Sequence, residues 1–207
     1  MKRVTIAIAF AAAVIMIAGS MSTHARDDDR YYKDLYELKQ LHAAFHNTVS
    51  HAGLDPAGAL TKILALWTED GTLKLLSTDK TYSGRGTQVP GMFECEDGGG
   101  TLCDLYVSAG AFQPGHNWVS LTPIFTETIS LIDDKDANIY FQCIYFDITV
   151  SPPALKSNVT FGLPGQPGTG LARKVKVQGK DTWLLSYAEV ETVATSPGPP
   201  PVFDVPY

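Results

Sequence analysis

The spacing of apolar residues changes character at Asp70-Gly71, and this change constrains the fold of the chain most strongly. Before it, apolar side chains recur every three to four positions. Tyr31, Leu35, Leu38, Phe45 and Val49 form one such series, and Leu60, Ile63, Leu64 and Trp67 form another. That is the period of helices with one buried face. Residues 30–52 are therefore expected to form a long amphipathic helix, with Asp27 to Asp29 as candidate N-caps and Gly53 as its stop. A second helix opens at Asp55-Pro56, because proline suits a first helical turn. After Gly71 the period falls to two. Thr72 to Leu76 reads as a strand, Thr81 to Arg85 as a turn and Gly86 to Phe93 as a short third helix. Residues 94–111 are Gly-rich and give no clear assignment.

From His116 onward β-branched and aromatic residues dominate. His116 to Ile132 reads as a long strand that Pro123 must bend or place on an edge. Asp133 to Asp136 is a turn, and Ala137 to Val150 a second long strand. Ser151 to Gly170 contains four Pro and four Gly and reads as a loop. Arg173 to Val177 and Thr182 to Val193 flank a turn and make a terminal hairpin. Helices first and strands later imply an α+β fold with segregated elements.

Both ends differ from this middle. Lys2 and Arg3 precede the apolar run Val4 to Ala18, and a small-residue stretch ends at Thr23-His24-Ala25. This is the pattern of a signal peptide over 1–25. The run is shorter than the roughly 20 residues of a membrane span. The expected location is secreted or periplasmic, with no membrane attachment after cleavage. Five of the twelve residues in Ser196 to Tyr207 are Pro, so 195–207 reads as an extended tail. A domain over 26–194 remains. Without Lys2 and Arg3 the chain keeps 14 basic and 22 acidic residues, a net charge of −8. An acidic domain with no basic cluster argues against nucleic acid as a partner. Cys95 and Cys103 bracket a flexible Gly-rich loop, and an exported chain favours a disulfide between them. Cys143, in an apolar strand, reads as a small core residue.

Few residues stand out for chemistry. His42 and His46 are one helical turn apart on the face turned to the sheet, whereas His51 points away. The pair is either structural, an acid/base group of a pocket, or part of a metal site. No ligand motif supports a metal, and none is expected. Asp147 can orient an imidazole or sit solvated at a strand end. Tyr140, Tyr145 and Tyr187 can each supply a hydroxyl. Trp67, Phe112, Trp118 and Trp183 supply apolar surface, as wall or as core. Glu69 and Asp70 read as solvated turn carboxylates. There is no Gly-x-Ser-x-Gly elbow and no phosphate-cradling loop, and no cofactor is expected.

Leu66 to Arg85, LWTEDGTLKLLSTDKTYSGR, pairs an aromatic and an acidic turn with a Tyr-Ser-Gly-Arg turn. His116 to Phe125, HNWVSLTPIF, supplies a His-headed strand. In this order they resemble the SnoaL-like branch of the nuclear transport factor 2-like superfamily, over roughly residues 30–193. The resemblance implies a cone-shaped α+β barrel, a single domain in which a bent antiparallel sheet wraps around the N-terminal helices and encloses one small-molecule pocket. It implies a homodimer. It also implies a cofactor-independent lyase or isomerase, dehydratase-like, acting on a small apolar molecule. His116 and His46 would be its acid/base groups, with Tyr187 or Tyr140 polarising an oxygen and Asp147 in support. His42, Trp67, Phe112, Trp118 and Tyr140 would contact the substrate. The pocket Tyr that the first helix presents in such enzymes falls at Phe45 or His46, and the carboxylate base of the isomerase branch falls near Leu75. The alternatives are a non-catalytic binder of apolar ligands and a dimeric interaction domain.

Overall fold

A computed structural model describes residues 28–96, 98–122, 126–151 and 153–193. The leader-like segment over 1–25, the Pro-rich tail and Pro123 lie outside the described residues. The chain divides into two compact units, residues 1–37 and 38–207. Residues 28–49 are helical and are called α1. In the first unit Tyr31, Tyr32 and Tyr36 are exposed, and Lys33 pairs with Glu37 one turn later at 3.7 Å.

In the second unit α1 buries Leu38, Leu41, Phe45 and Val49, at the spacing its sequence announces. It ends three residues earlier than expected. His51 takes a left-handed φ of 62°, and Gly53 falls in a short 3-10 turn, Ala52–Leu54. Helix α2 follows at Pro56–Ala65. The Asp55 side chain accepts from the Gly58 N–H at 3.1 Å, and Pro56 occupies the first turn. Leu60, Ile63 and Leu64 form its buried stripe, as expected.

Eight strands form one sheet: β1 Trp67–Leu75, β2 Lys80–Ser83, β3 Trp118–Leu121, β4 Thr128–Leu131, β5 Asp136–Asp147, β6 Ala154–Phe161, β7 Gly170–Val177 and β8 Lys180–Val193. The main path runs β2-β1-β8-β6-β5-β3, with β4 on β5 and β7 between β5 and β8. Every pairing is antiparallel except that of β1 with β8. The expected antiparallel sheet is thus mixed. In β5 every second side chain is buried, from Ala137 through Ile139, Phe141, Cys143 and Tyr145 to Asp147, the signature of a strand with one face on a core.

Four local expectations are corrected. Thr81 to Arg85 is largely strand β2. The short helix α3 lies at Leu102–Ser108 rather than at 86–93, with a reciprocal capping box between Thr101 and Asp104. The expected strand from His116 to Ile132 is two short strands, β3 and β4. Ser151 to Gly170 contains strand β6 before its loop. That loop closes tightly: a Cβ on Gly170 would lie 2.1 Å from the Ile139 carbonyl oxygen, and one on Gly162 2.9 Å from the same oxygen. Two glycines therefore let β6 and β7 share one side of β5. The β7–β8 hairpin turns on Gln178 and Gly179, both at positive φ, as a two-residue turn requires.

Cys95 and Cys103 form a disulfide that ties the irregular 86–96 segment to α3. Closing so short a loop restricts the unfolded chain by about 2.5 kcal/mol. Urea unfolding with and without reductant should differ by roughly that amount. Equal midpoints would mean that the bond does not constrain the unfolded ensemble.

Candidate functional site

The second unit holds an apolar cavity of about 360 Å³. Phe45 and Val49 of α1 form one wall, Leu73 and Leu75 of β1 another, and Phe141, Cys143 and Tyr145 of β5 a third. Val159, Phe161 and Val190 continue the sheet side. α3 and the turn after it contribute Leu105, Tyr106 and Phe112, and Trp118 of β3 completes the enclosure. Hydroxyls come from Tyr82, Tyr106, Ser108, Tyr145, Ser157 and Thr192. Among the described residues lining it there is no imidazole and no carboxylate.

The histidine pair lies behind this wall. Facing the sheet from α1, His42 and His46 meet through their Nε2 atoms at 2.8 Å. His42 Nδ1 lies 2.5 Å from Glu127 Oε1, and its ring stacks on Phe141 at 4.2 Å. His46 Nδ1 lies 2.7 Å from Ser120 Oγ. Thr122 Oγ1 contacts His46 Nε2, and Cys143 Sγ is 3.6 Å from that nitrogen. One tautomer assignment accommodates the chain of contacts. His42 Nδ1–H donates to Glu127, His46 Nε2–H donates to His42 Nε2, and the Ser120 hydroxyl donates to His46 Nδ1. In the β3–β5 register Ser120 stands opposite Tyr145. The two side chains therefore share a face of the sheet.

Burial dominates the electrostatics here. It lowers His46 to about 3, with His42 adding to the effect. It also lowers His42, against the opposing pull of the Glu127 hydrogen bond and charge. The Cys143 thiol is pushed up to about 12 by burial, and the Tyr145 phenol is raised for the same reason. All four are neutral near pH 7. Among the described residues no group of three or more His, Cys, Asp or Glu is placed to hold a metal ion.

The residues singled out from sequence separate into two sets. Phe112 and Trp118 line the cavity. His42 and His46 are brought together with Ser120, Thr122 and Cys143, but neither lines the cavity. Phe45 takes the pocket-facing place and Leu75 lines the wall, so the isomerase-type carboxylate has no counterpart at that position. His116 does not head a strand into the pocket. It precedes β3, hydrogen-bonds through Nδ1 to the Gly110 carbonyl at 2.9 Å and stacks beside Trp118. Positive φ at Gly115 turns the chain just before it. Asp147 accepts from the Thr149 N–H and pairs with Lys156 at 3.4 Å, away from any imidazole. Tyr187 donates to Glu189 at 2.8 Å. It and Tyr140 lie on the opposite face of their strands from the cavity. Trp67 is fully buried core and donates to the Tyr106 hydroxyl at 2.9 Å. Trp183 is buried beneath Lys174.

Glu127, Ser120 and Thr122 were not singled out from sequence. Each is an ordinary polar residue in a β-rich stretch, 74 to 85 positions from its histidine, so nothing local marks it.

No protein-family model matches the chain, and no curated protein matches it in sequence. Solved structures do match in shape. An NTF2-like protein with a cystatin-like fold from Novosphingobium aromaticivorans is 14% identical over 82% of this chain and 87% of its own, with a TM-score of 0.52. LinA is 11% identical over 83% and 93%, with a TM-score of 0.53. Rv3472, a protein of unknown function from Mycobacterium tuberculosis, is 14% identical over 80% and 75%, with a TM-score of 0.51. At these identities the likeness concerns the fold. The mixed eight-stranded sheet and few helices of the described residues have the α+β fold of nuclear transport factor 2-like proteins.

Proposed function

We propose that this chain binds a small, mostly apolar molecule bearing an oxygen function, and performs cofactor-independent proton transfer on it of the lyase or isomerase kind. The observation that carries the reading is the apolar cavity with a hydrogen-bonded imidazole pair directly behind its Tyr145 and Cys143 wall. About 150 Å³ of apolar void accommodates a benzene ring. At about 360 Å³ this cavity suits roughly two fused rings. Hydroxyls in an otherwise apolar wall can orient one carbonyl or hydroxyl group. The leader-like first 25 residues and the Cys95–Cys103 disulfide support work in an oxidising compartment outside the cytoplasm. Non-catalytic binding is the second reading, favoured by the absence of any imidazole or carboxylate from the described cavity lining.

Native mass spectrometry of the purified chain tests occupancy. A small organic mass released on denaturation is expected. Val159→Trp, which fills the cavity from β6, should reduce its retention at least about tenfold, a loss of roughly 1.4 kcal/mol in binding. Undiminished retention in Val159→Trp would place the ligand elsewhere and end the pocket reading. Turnover separates the two readings once the released molecule is in hand.

A further inference from the structure

Resting on that pocket reading, we propose that Glu127 is the remote proton acceptor and donor of the cavity, joined to Tyr145 by a relay through His42, His46 and Ser120. Three of its links are hydrogen-bond contacts. Glu127 Oε1 to His42 Nδ1 is 2.5 Å, His42 Nε2 to His46 Nε2 is 2.8 Å, and His46 Nδ1 to Ser120 Oγ is 2.7 Å. Ser120 then stands opposite Tyr145 in the β3–β5 register, and the hop between their hydroxyls is the last link of the proposed relay. Tyr145 lines the cavity. At the other end the Glu127 side chain is 19% exposed, with Lys39 Nζ 4.0 Å from its second oxygen. A proton stored there can exchange with water.

Each hop breaks one bond to hydrogen and forms another. As a substrate proton reaches the Tyr145 oxygen, the phenolic proton moves to Ser120, the Ser120 proton to His46 Nδ1 and the His46 Nε2 proton to His42 Nε2. The His42 Nδ1 proton then reaches Glu127. The electron pair of the broken substrate bond stays on the substrate, and the carboxylate becomes a carboxylic acid. Reversal returns a proton to a leaving oxygen. Both imidazoles change tautomer and neither becomes imidazolium. Buried rings that resist protonation fit such a path, because only its two ends carry charge. Thr122 touches His46 Nε2 but sits beside the path, because the link to Tyr145 leaves from Nδ1. A Cys143 thiol held protonated does not compete as the base.

The probe is 1-tetralone, a two-ring ketone of suitable size, added to the full chain in D₂O. NMR follows deuterium uptake next to its carbonyl, and a separate titration gives its Kd. The expected result is exchange by the wild type, slowed at least about 100-fold in Glu127→Gln and Ser120→Ala with Kd unchanged. Glu127→Asp should recover part of the rate. Gln keeps an acceptor for His42 Nδ1–H but cannot take a proton, so a purely structural role predicts no loss. Exchange in Glu127→Gln at the wild-type rate overturns the relay, and so does tetralone bound to the wild type without exchange; both leave the pocket reading intact. No binding of tetralone sinks the pocket reading, and the relay with it. Long-range ¹H–¹⁵N NMR of the ligand-free protein gives a readout independent of the probe. It should find Nδ1–H on His42 and Nε2–H on His46, and the opposite tautomers would overturn the relay.

Discussion

Phe141→Ala is expected to lower the free energy of unfolding by about 3–5 kcal/mol, the usual loss for a buried phenylalanine truncated in a core. Phe141 is fully buried. It stacks on Phe161 at 4.6 Å and on His42 at 4.2 Å, and packs against Phe45 at 5.6 Å. It also lines an existing cavity, so the space left cannot be refilled by a short shift of its neighbours. Against a typical stability of about 5–15 kcal/mol such a loss leaves the domain marginal. Urea denaturation monitored by tryptophan fluorescence would measure it. A loss below about 1 kcal/mol would mean that the aromatic layer is looser than its ring spacings indicate. Phe141→Leu should fall between Ala and the wild type, because it leaves less void.

Acid should weaken the fold before it reaches the carboxylates. His46 titrates at about 3 in the folded chain and near 6.5 when unfolded. Between those values the unfolded state binds more protons, so stability falls as pH falls through 6.5 and continues to fall toward 3. Above pH 7 this group contributes no slope. From pH 7 to pH 5 the expected loss is about 2 kcal/mol, and His42, lowered in the same direction, adds to it. Unfolding midpoints across this range would show the slope, and His46→Leu should flatten it. A flat profile in the wild type would mean that His46 is solvated and charged in the folded state, which would also remove it from any neutral relay.

What could be read from sequence followed signals of short range. Leu38, Phe45 and Val49 place His42 and His46 on the inner face of α1, because a helix repeats within a few residues. The β7–β8 hairpin was legible from Gly179 between two β-branched runs. Helix α3 carried a readable signal in Thr101 and Asp104, the two ends of a capping box, but the glycines just before it obscured that pattern. Strand β6 was hidden by the prolines and glycines that flank it, Pro152 and Pro153 before and Gly162 after. Its cavity-facing residues are Ser157, Val159 and Phe161, too few for a clear alternation. The polar partners of the histidines were not legible at all. Glu127 reaches His42 only because β4 and β5 pair and α1 packs across them, a fact of tertiary structure with no local trace.

The parallel pairing of β1 with β8 has a consequence for the order in which the domain can assemble. Trp67 aligns with Leu185 and Leu75 with Val190, so the first strand waits for the last. Contacts that join positions more than a hundred residues apart carry a large loop-closure cost and slow folding. A nascent chain that has not yet released β8 leaves both β1 and β6 without a neighbour they later share. Synthesis and completion of the sheet are thereby separated in time, and until the final strand is added the cavity has no closed wall.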